Sequence, residues 1–435
     1  MNSKQKIVRG VGWSTVALFA QAIYGFISVP ILLHYFGNQQ YGIIGLATSI
    51  NFYMQIMDLG LNSTNVRFFS AWLAEDDYDK TNRLFQTSLA MYSVIACINT
   101  AVILILSQFS GYIFNLDAEE DAILKTLLLI IAFSCIVNWL CACLDQLIAG
   151  TENVAWLKKR ALFTKSIQFC ILFSTIYFHL SISFFFFCSS FVLIFAIPLS
   201  IWKIRKEAPF VSFLPKIDMS VLKEILPYFL SIFSFSIFQY SFDNLRVVLL
   251  GMQGTVESIT DFRIMNGMVS VVATVGGIFL NVLLPSTSRM VAKANKDAIE
   301  NVTYAGSKYI SIILCFCSFG MMSVAAEMIT IYVGKAYLHL LPWFCLWLFC
   351  VLNMHTSVIT SIILAGTRIQ GIAGCIIFCS CLGLVLTWLL IPEFQAGGTV
   401  LALCVYVVCE LFFYYVYYWP KKLNVRSGYI FFRLF

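Results

Sequence analysis

Apolar runs of about 20 residues, the length that crosses a ~30 Å hydrocarbon core as a helix, recur twelve times along this chain. They predict spans near 11–36, 41–64, 84–110, 123–148, 161–180, 182–202, 222–250, 262–287, 304–333, 338–364, 369–391 and 397–419. Only His179-Leu180-Ser181 separates the fifth from the sixth. The fold this predicts is an all-α polytopic membrane protein, with 12 transmembrane helices in two parallel six-helix lobes around a central cavity. Its parts would be an N-terminal lobe at 1–206, a cytoplasmic linker at 207–221, a C-terminal lobe at 222–420 and a basic, aromatic tail at 421–435.

Polar residues inside the runs are spaced as stripes. Ser14, Gln21, Tyr24 and Ser28 mark the first span, and Thr48, Asn51, Gln55, Asp58 and Asn62 mark the second. The seventh carries Ser236, Gln239, Asp243 and Arg246; the eighth carries Asn266, Ser270, Thr274 and Asn281. Steps of three and four place each set on one helix face, as expected where a helix borders water rather than lipid. Amides and hydroxyls also join helices to one another, but four stripes in matching halves favour a shared cavity. Three short matches, such as Leu147-Ile148-Ala149-Gly150-Thr151 with Ile363-Leu364-Ala365-Gly366-Thr367, suggest a six-plus-six duplication.

Composition supports the membrane reading. Hydrophobic residues make up 60% and charged residues 11% of the 435 positions, too few charges to cover a soluble globule and too few for a disordered chain. Of the 28 cations, 24 fall on one side of the predicted spans; the exceptions are Lys125, Arg246, Arg263 and Lys335. Both termini are therefore expected in the cytoplasm, and the net charge of +6 reports topology, not nucleic-acid binding. Lys4, Lys6 and Arg9 ahead of the first run read as a retained span rather than a cleaved leader. The fifteen Cys lie within apolar runs without C-x₂-C spacing, so no metal is implied.

Isolated ionisable groups are weighed singly. Glu410, deep in the last span, needs a partner or a task, and is the candidate for coupling to a proton or sodium gradient. Asp145 and Glu327 lie near span ends, where snorkelling or loop solvation suffices. His355 beside Asn353 suits a proton relay or a hydrogen-bonded packing role. The acidic run Glu75-Asp76-Asp77-Tyr78-Asp79 lacks the spacing of a metal-diphosphate motif and reads as a solvated loop. No G-x-x-x-x-G-K-[ST] loop is present, so the chain is not by itself an ATP-driven pump.

Pro30, the Gly37-x₃-Tyr41-Gly42 turn, Asp58-Leu59-Gly60-Leu61 and Arg67 resemble the opening of Wzx-type polysaccharide flippases. Asp243, Arg246, Gly251, Pro285 and Arg289 are similar to the corresponding part of their second half. These proteins belong to the multidrug/oligosaccharidyl-lipid/polysaccharide (MOP) exporter superfamily. The resemblance implies a flippase, not an enzyme, in a bacterial cytoplasmic (inner) membrane. Its substrate would be a polyprenyl-pyrophosphate-linked oligosaccharide, moved to the outer leaflet for O-antigen or capsule. Implied partners are membrane lipid and polysaccharide polymerase or assembly proteins. No cofactor is expected beyond an ion gradient. The expected binding residues are Gln21, Tyr24, Asn51, Gln55, Asp58, Gln239, Asp243, Arg246, Arg263, Asn266 and Asn281. The first span lacks the buried arginine and acid of the lipid II flippase, so no such charge triad is expected. A drug/cation antiporter of the same superfamily is the alternative; the predominance of amide and hydroxyl groups in the stripes weighs against it.

Overall fold

The computed structural model describes residues 3–54, 56, 58–114, 116–292, 296–356 and 370–418. Helices account for nearly all of them. In chain order the principal ones are α1 (Ser3–Met54), α2 (Asp58–Ala74), α3 (Tyr78–Gln108), α4 (Ala118–Gly150), α5 (Val154–Tyr177) and α6 (Ile182–Glu207). There follow α7 (Met219–Gln253), α8 (Val256–Ala292), α9 (Lys296–Ser323), α10 (Ala325–Tyr332), α11 (Leu341–Val351), α12 (Gln370–Phe394) and α13 (Ala396–Phe412). Among the described residues, eight helical stretches are long and apolar enough to cross a membrane. Helices of 24, 35 and 37 residues, α5, α7 and α8, stand at the fifth, seventh and eighth predicted positions. The chain is a multi-pass membrane protein. The tail at 421–435 and the repeat segment Ile363–Thr367 lie outside the described residues.

The first two predicted spans meet at Gly37, where α1 leaves helical geometry: two helices join there at a sharp kink with φ 80° and ψ 174°, a conformation that favours glycine. α1 is described to Met54 and α2 from Asp58, with Gln55 and Met57 outside the described residues. Asp58 lies in the first turn of α2, where a carboxylate meets the positive end of the helix dipole.

Acidic runs serve the helix starts. The Asp77 side chain accepts the Lys80 N–H at 3.0 Å and caps α3, and Asp79 pairs with Arg83 at 2.6 Å. Ahead of α4, the Asp117 N–H donates to Glu120 Oε2 at 3.2 Å, while Asp121 pairs with Lys125 at 2.6 Å. These carboxylates satisfy orphan N–H groups and the dipole.

The chain packs as two compact units, the first Met1–Tyr24 with Tyr35–Met252, the second Gly25–His34 with Gln253–Phe435. The core of the first is the α3–α4 seam, where Leu84, Phe85, Tyr92, Ile103, Leu124, Leu127 and Leu128 are buried. Lipid offers side chains an apolar surround as well, so such seams rest on close packing rather than on escape from water. Gly150 illustrates this: a β-carbon there would lie 2.5 Å from Phe69 Cβ, so only glycine lets α2 and α4 approach this closely.

The segment predicted as an interlobe linker is instead fastened to α3. Ser212 N–H donates to Asn82 Oδ1 at 2.8 Å, and Asp218 N–H donates to Thr87 Oγ1 at 3.0 Å. Phe213 meets Phe85 edge-on, and Arg83 reaches Asp218 at 3.5 Å. Hydrogen bonds from the Ser220 hydroxyl and backbone, with Arg83 adding charge, hold the Asp218 carboxyl below the usual range. A carboxyl so depressed favours the folded strap near neutral pH, and that contribution fades as the pH falls through the carboxylate range. The strap leads into α7, and the first unit runs on to Met252.

In the second unit, α12 and α13 pack most extensively. Tyr332 stacks on Phe26 at 4.6 Å and donates its hydroxyl to the Phe26 carbonyl at 2.7 Å, anchoring the Gly25–His34 part of α1.

Candidate functional site

The start of α2 faces α3 and α4, and three polar side chains converge there. Tyr92 donates its hydroxyl to Asp58 Oδ1 at 2.6 Å, and Gln146 Nε2 donates to the same oxygen at 3.1 Å. Gln146 Nε2 also donates to the Tyr92 hydroxyl, and its Oε1 accepts from Asn65 Nδ2 at 2.8 Å. Tyr92, Asn65 and Gln146 are all buried. One turn of α4 thus ties α2 to α3 through a single carboxylate.

The adjacent residue, Asp145, faces α5. Both of its oxygens accept from the Arg160 guanidinium, and Arg160 also donates to Ser200 Oγ on α6. The Arg160 side chain is 7% exposed. The sequence suggested snorkelling or loop solvation for Asp145; the structure pairs it with Arg160 instead. The two lie 15 residues apart across the tight α4–α5 turn, so a helical hairpin returns Arg160 to the level of Asp145. That spacing was the available signal.

Asp58, Asn62, Asn138, Asp145, Gln146, Lys158 and Arg160 line a cavity of about 460 Å³ within the first unit. Two acids and two bases balance there. Such a site can hold a proton or a small polar group and can couple the tilt of α2 to that of α5.

The other expected residues are spread over both units. Gln21 is exposed on α1, and Tyr24 sits edge-on to Phe169 at 5.0 Å. Asn51 is half-buried near the end of α1. On α7, Asp243 is exposed while Arg246 is buried over the Phe242 ring. Arg246 Nε donates to the Phe242 carbonyl at 3.2 Å, and its guanidinium lies 3.7 Å from Asp243. The side chains of Gln239 and Asn281 lie outside the described residues. On α8, Arg263 is half-buried and Asn266 exposed. Tyr92, Gln146, Asn65 and Arg160 are the polar residues that sequence reasoning did not place in a site.

Glu410 has partners in the second unit. Asn353 Nδ2 donates to Glu410 Oε2 at 2.7 Å, and five residues on, Tyr415 meets His355 Nε2 at 2.8 Å. Asn353 and His355 lie on a 3₁₀ turn, Leu352–Thr356, and Tyr415 on a π-helical turn, Phe413–Tyr418. One hydrogen bond, His355 with Tyr415, joins these two irregular turns, and a second ties the 3₁₀ turn to Glu410 on α13; such irregularities are often found where helices flex.

The sequence matches the family described as "Polysaccharide biosynthesis protein" over residues 31–342. No curated protein sequence matches the chain. Among solved structures, an inward-facing multidrug resistance MATE family transporter of the MOP superfamily aligns with a TM-score of 0.70 at 10% identity, covering 94% of this chain and 95% of that one. The lipid II flippase MurJ, in an inward closed conformation, aligns at 0.73 with 14% identity, covering 92% and 86%. An outward-facing MATE family transporter aligns at 0.57 with 13% identity, covering 99% and 97%. At such identities the likeness is one of fold.

Proposed function

The chain belongs to the polysaccharide biosynthesis protein family, and from that premise we propose that it flips a polyprenyl-pyrophosphate-linked oligosaccharide from the cytoplasmic to the outer leaflet of a bacterial inner membrane. The family match carries this reading, since it runs from the middle of α1 through α10 and so takes in parts of both units. The fold shared with a lipid II flippase supports it. Sugar and pyrophosphate cannot enter hydrocarbon unaided, because each unpaired polar group costs several kcal/mol there. In this reading twelve spans form two six-helix lobes with both termini cytoplasmic, and they alternate access around a polar cavity. The product feeds O-antigen or capsule assembly and meets polymerase or assembly proteins at the outer leaflet.

The test is deletion of the gene and complementation. Deletion is expected to remove surface polymer and to leave lipid-linked oligosaccharide on the cytoplasmic leaflet, and complementation to reverse both. Unchanged polymer together with new sensitivity to cationic drugs would sink the reading in favour of a drug antiporter.

Ion coupling through Glu410 is part of the same proposal. Its hydrogen bond from Asn353 beside a 3₁₀ break suits a carboxylate that changes protonation as the helices move. Glu410→Gln keeps a hydrogen-bonding side chain but cannot ionise. Transport by that variant in proteoliposomes is expected to lose its dependence on an imposed proton or sodium gradient and to fall by about tenfold, a loss of ~1.4 kcal/mol. Wild-type gradient dependence would reduce Glu410 to a packing residue.

A further inference from the structure

Within the first unit, α1 and α5 run side by side. A β-carbon at Gly10 would touch Val154 at 3.6 Å, and further along Tyr24 meets Phe169 edge-on at 5.0 Å. Two lysines of α5 lie on aromatic faces of α1. Lys159 Nζ sits 4.8 Å from the Trp13 ring centroid, and Lys165 Nζ sits 4.5 Å from that of Tyr24. Trp13 and Tyr24 are 11 residues apart, close to three helical turns, so one face of α1 carries both rings.

Lys165 differs from the other cations in the interior of the first unit. Arg160 has Asp145, and Arg246 lies beside Asp243. Among the described residues, no carboxylate lies within ion-pair distance of Lys165 and its ammonium makes no hydrogen bond. Counted from Lys159 it is six residues further along α5, about 9 Å at 1.5 Å per residue. A cation inside a membrane helix is costly, and the face of a ring returns part of that cost. An aromatic face uses none of the lone-pair acceptors that an ammonium seeks, so three N–H donors remain for an oxygen-rich anion.

We propose that Lys165, seated on Tyr24, binds the pyrophosphate of a lipid-linked substrate, with Lys159 on Trp13 as the step nearer the start of α5. The assignment rests on the flippase reading above. The surroundings suit a lipid rather than a soluble anion: Phe19 and Ile23 on α1 and Phe163 and Phe173 on α5 are exposed and apolar, a surface on which a polyprenyl tail can lie. Lysine also fits transit better than arginine would. Its ammonium acts as a point charge without the bidentate fork that fixes a phosphate in one orientation.

The test uses the full chain in nanodiscs of neutral phosphatidylcholine, with sugar-free polyprenyl pyrophosphate as probe and phosphatidylglycerol as competitor. Lys165→Met, which keeps the length of the side chain, is expected to weaken probe binding by about five- to tenfold, the worth of one cation beside a lipid phosphate. Lys165→Arg should stay within about threefold of wild type because the charge is kept. Phosphatidylglycerol in excess should not displace the probe. Equal binding by wild type and a Lys165→Met variant of unchanged melting temperature would overturn the assignment, and so would displacement by phosphatidylglycerol, which would make the seam a site for bulk headgroups. Wild-type protein that binds no polyprenyl pyrophosphate would instead overturn the flippase reading itself.

Discussion

Asp145→Ala should destabilise the first unit by about 3–5 kcal/mol, because it strands a buried guanidinium without its carboxylate. Arg160 donates to both Asp145 oxygens and to Ser200, and its side chain is 7% exposed. Removing the acid leaves the Ser200 hydroxyl and the Trp156 ring to answer that charge. The pair itself is a different matter. Bringing two ions out of water offsets most of their attraction, so Asp145→Leu combined with Arg160→Met should be nearly neutral, within about 1–2 kcal/mol of wild type. Thermal unfolding of purified protein in detergent separates the cases: a deep fall for the single variant and recovery in the double. A single variant that melts with wild type would mean that Arg160 finds other solvation and that the ion pair does not hold α4 to α5.

Gly150→Ala carries the second large effect. The added β-carbon would sit 2.5 Å from Phe69 Cβ, an atom fixed by the α2 backbone and unable to rotate away. Overpacking of this kind costs about 1–3 kcal/mol, and a larger residue such as Val costs more. The strain falls beside the Asn65–Gln146 hydrogen bond, so α2 is expected to move off α4 and loosen the Asp58 cluster. Phe69→Ala should give no relief, since alanine keeps the β-carbon that collides. Yield of monodisperse protein and melting temperature in detergent check both variants. A Gly150→Ala protein indistinguishable from wild type would show that α2 and α4 have slack at this crossing.

The helices were legible because apolar runs long enough to cross a bilayer have few other structural uses. Even the split at His179-Leu180-Ser181 appears, with Ser181 accepting the Phe184 N–H at the start of α6. Asp58 was singled out by its place in a polar stripe, yet its partners Tyr92 and Gln146 are distant in sequence, and no spacing rule joins them. Arg160 was hidden for another reason. A basic cluster at a span end ordinarily reports topology, and nothing in Lys158-Lys159-Arg160 says which of the three turns inward.

The placement of Gly25–His34 in the second unit bears on how the protein is made. Phe26 takes its hydrogen bond from Tyr332, 306 residues later in the chain. At 5–20 residues per second, the ribosome needs roughly 15–60 s to supply that partner. α1 therefore finishes packing only after Tyr332 has been made, and a chain halted before that residue leaves Phe26 without this anchor.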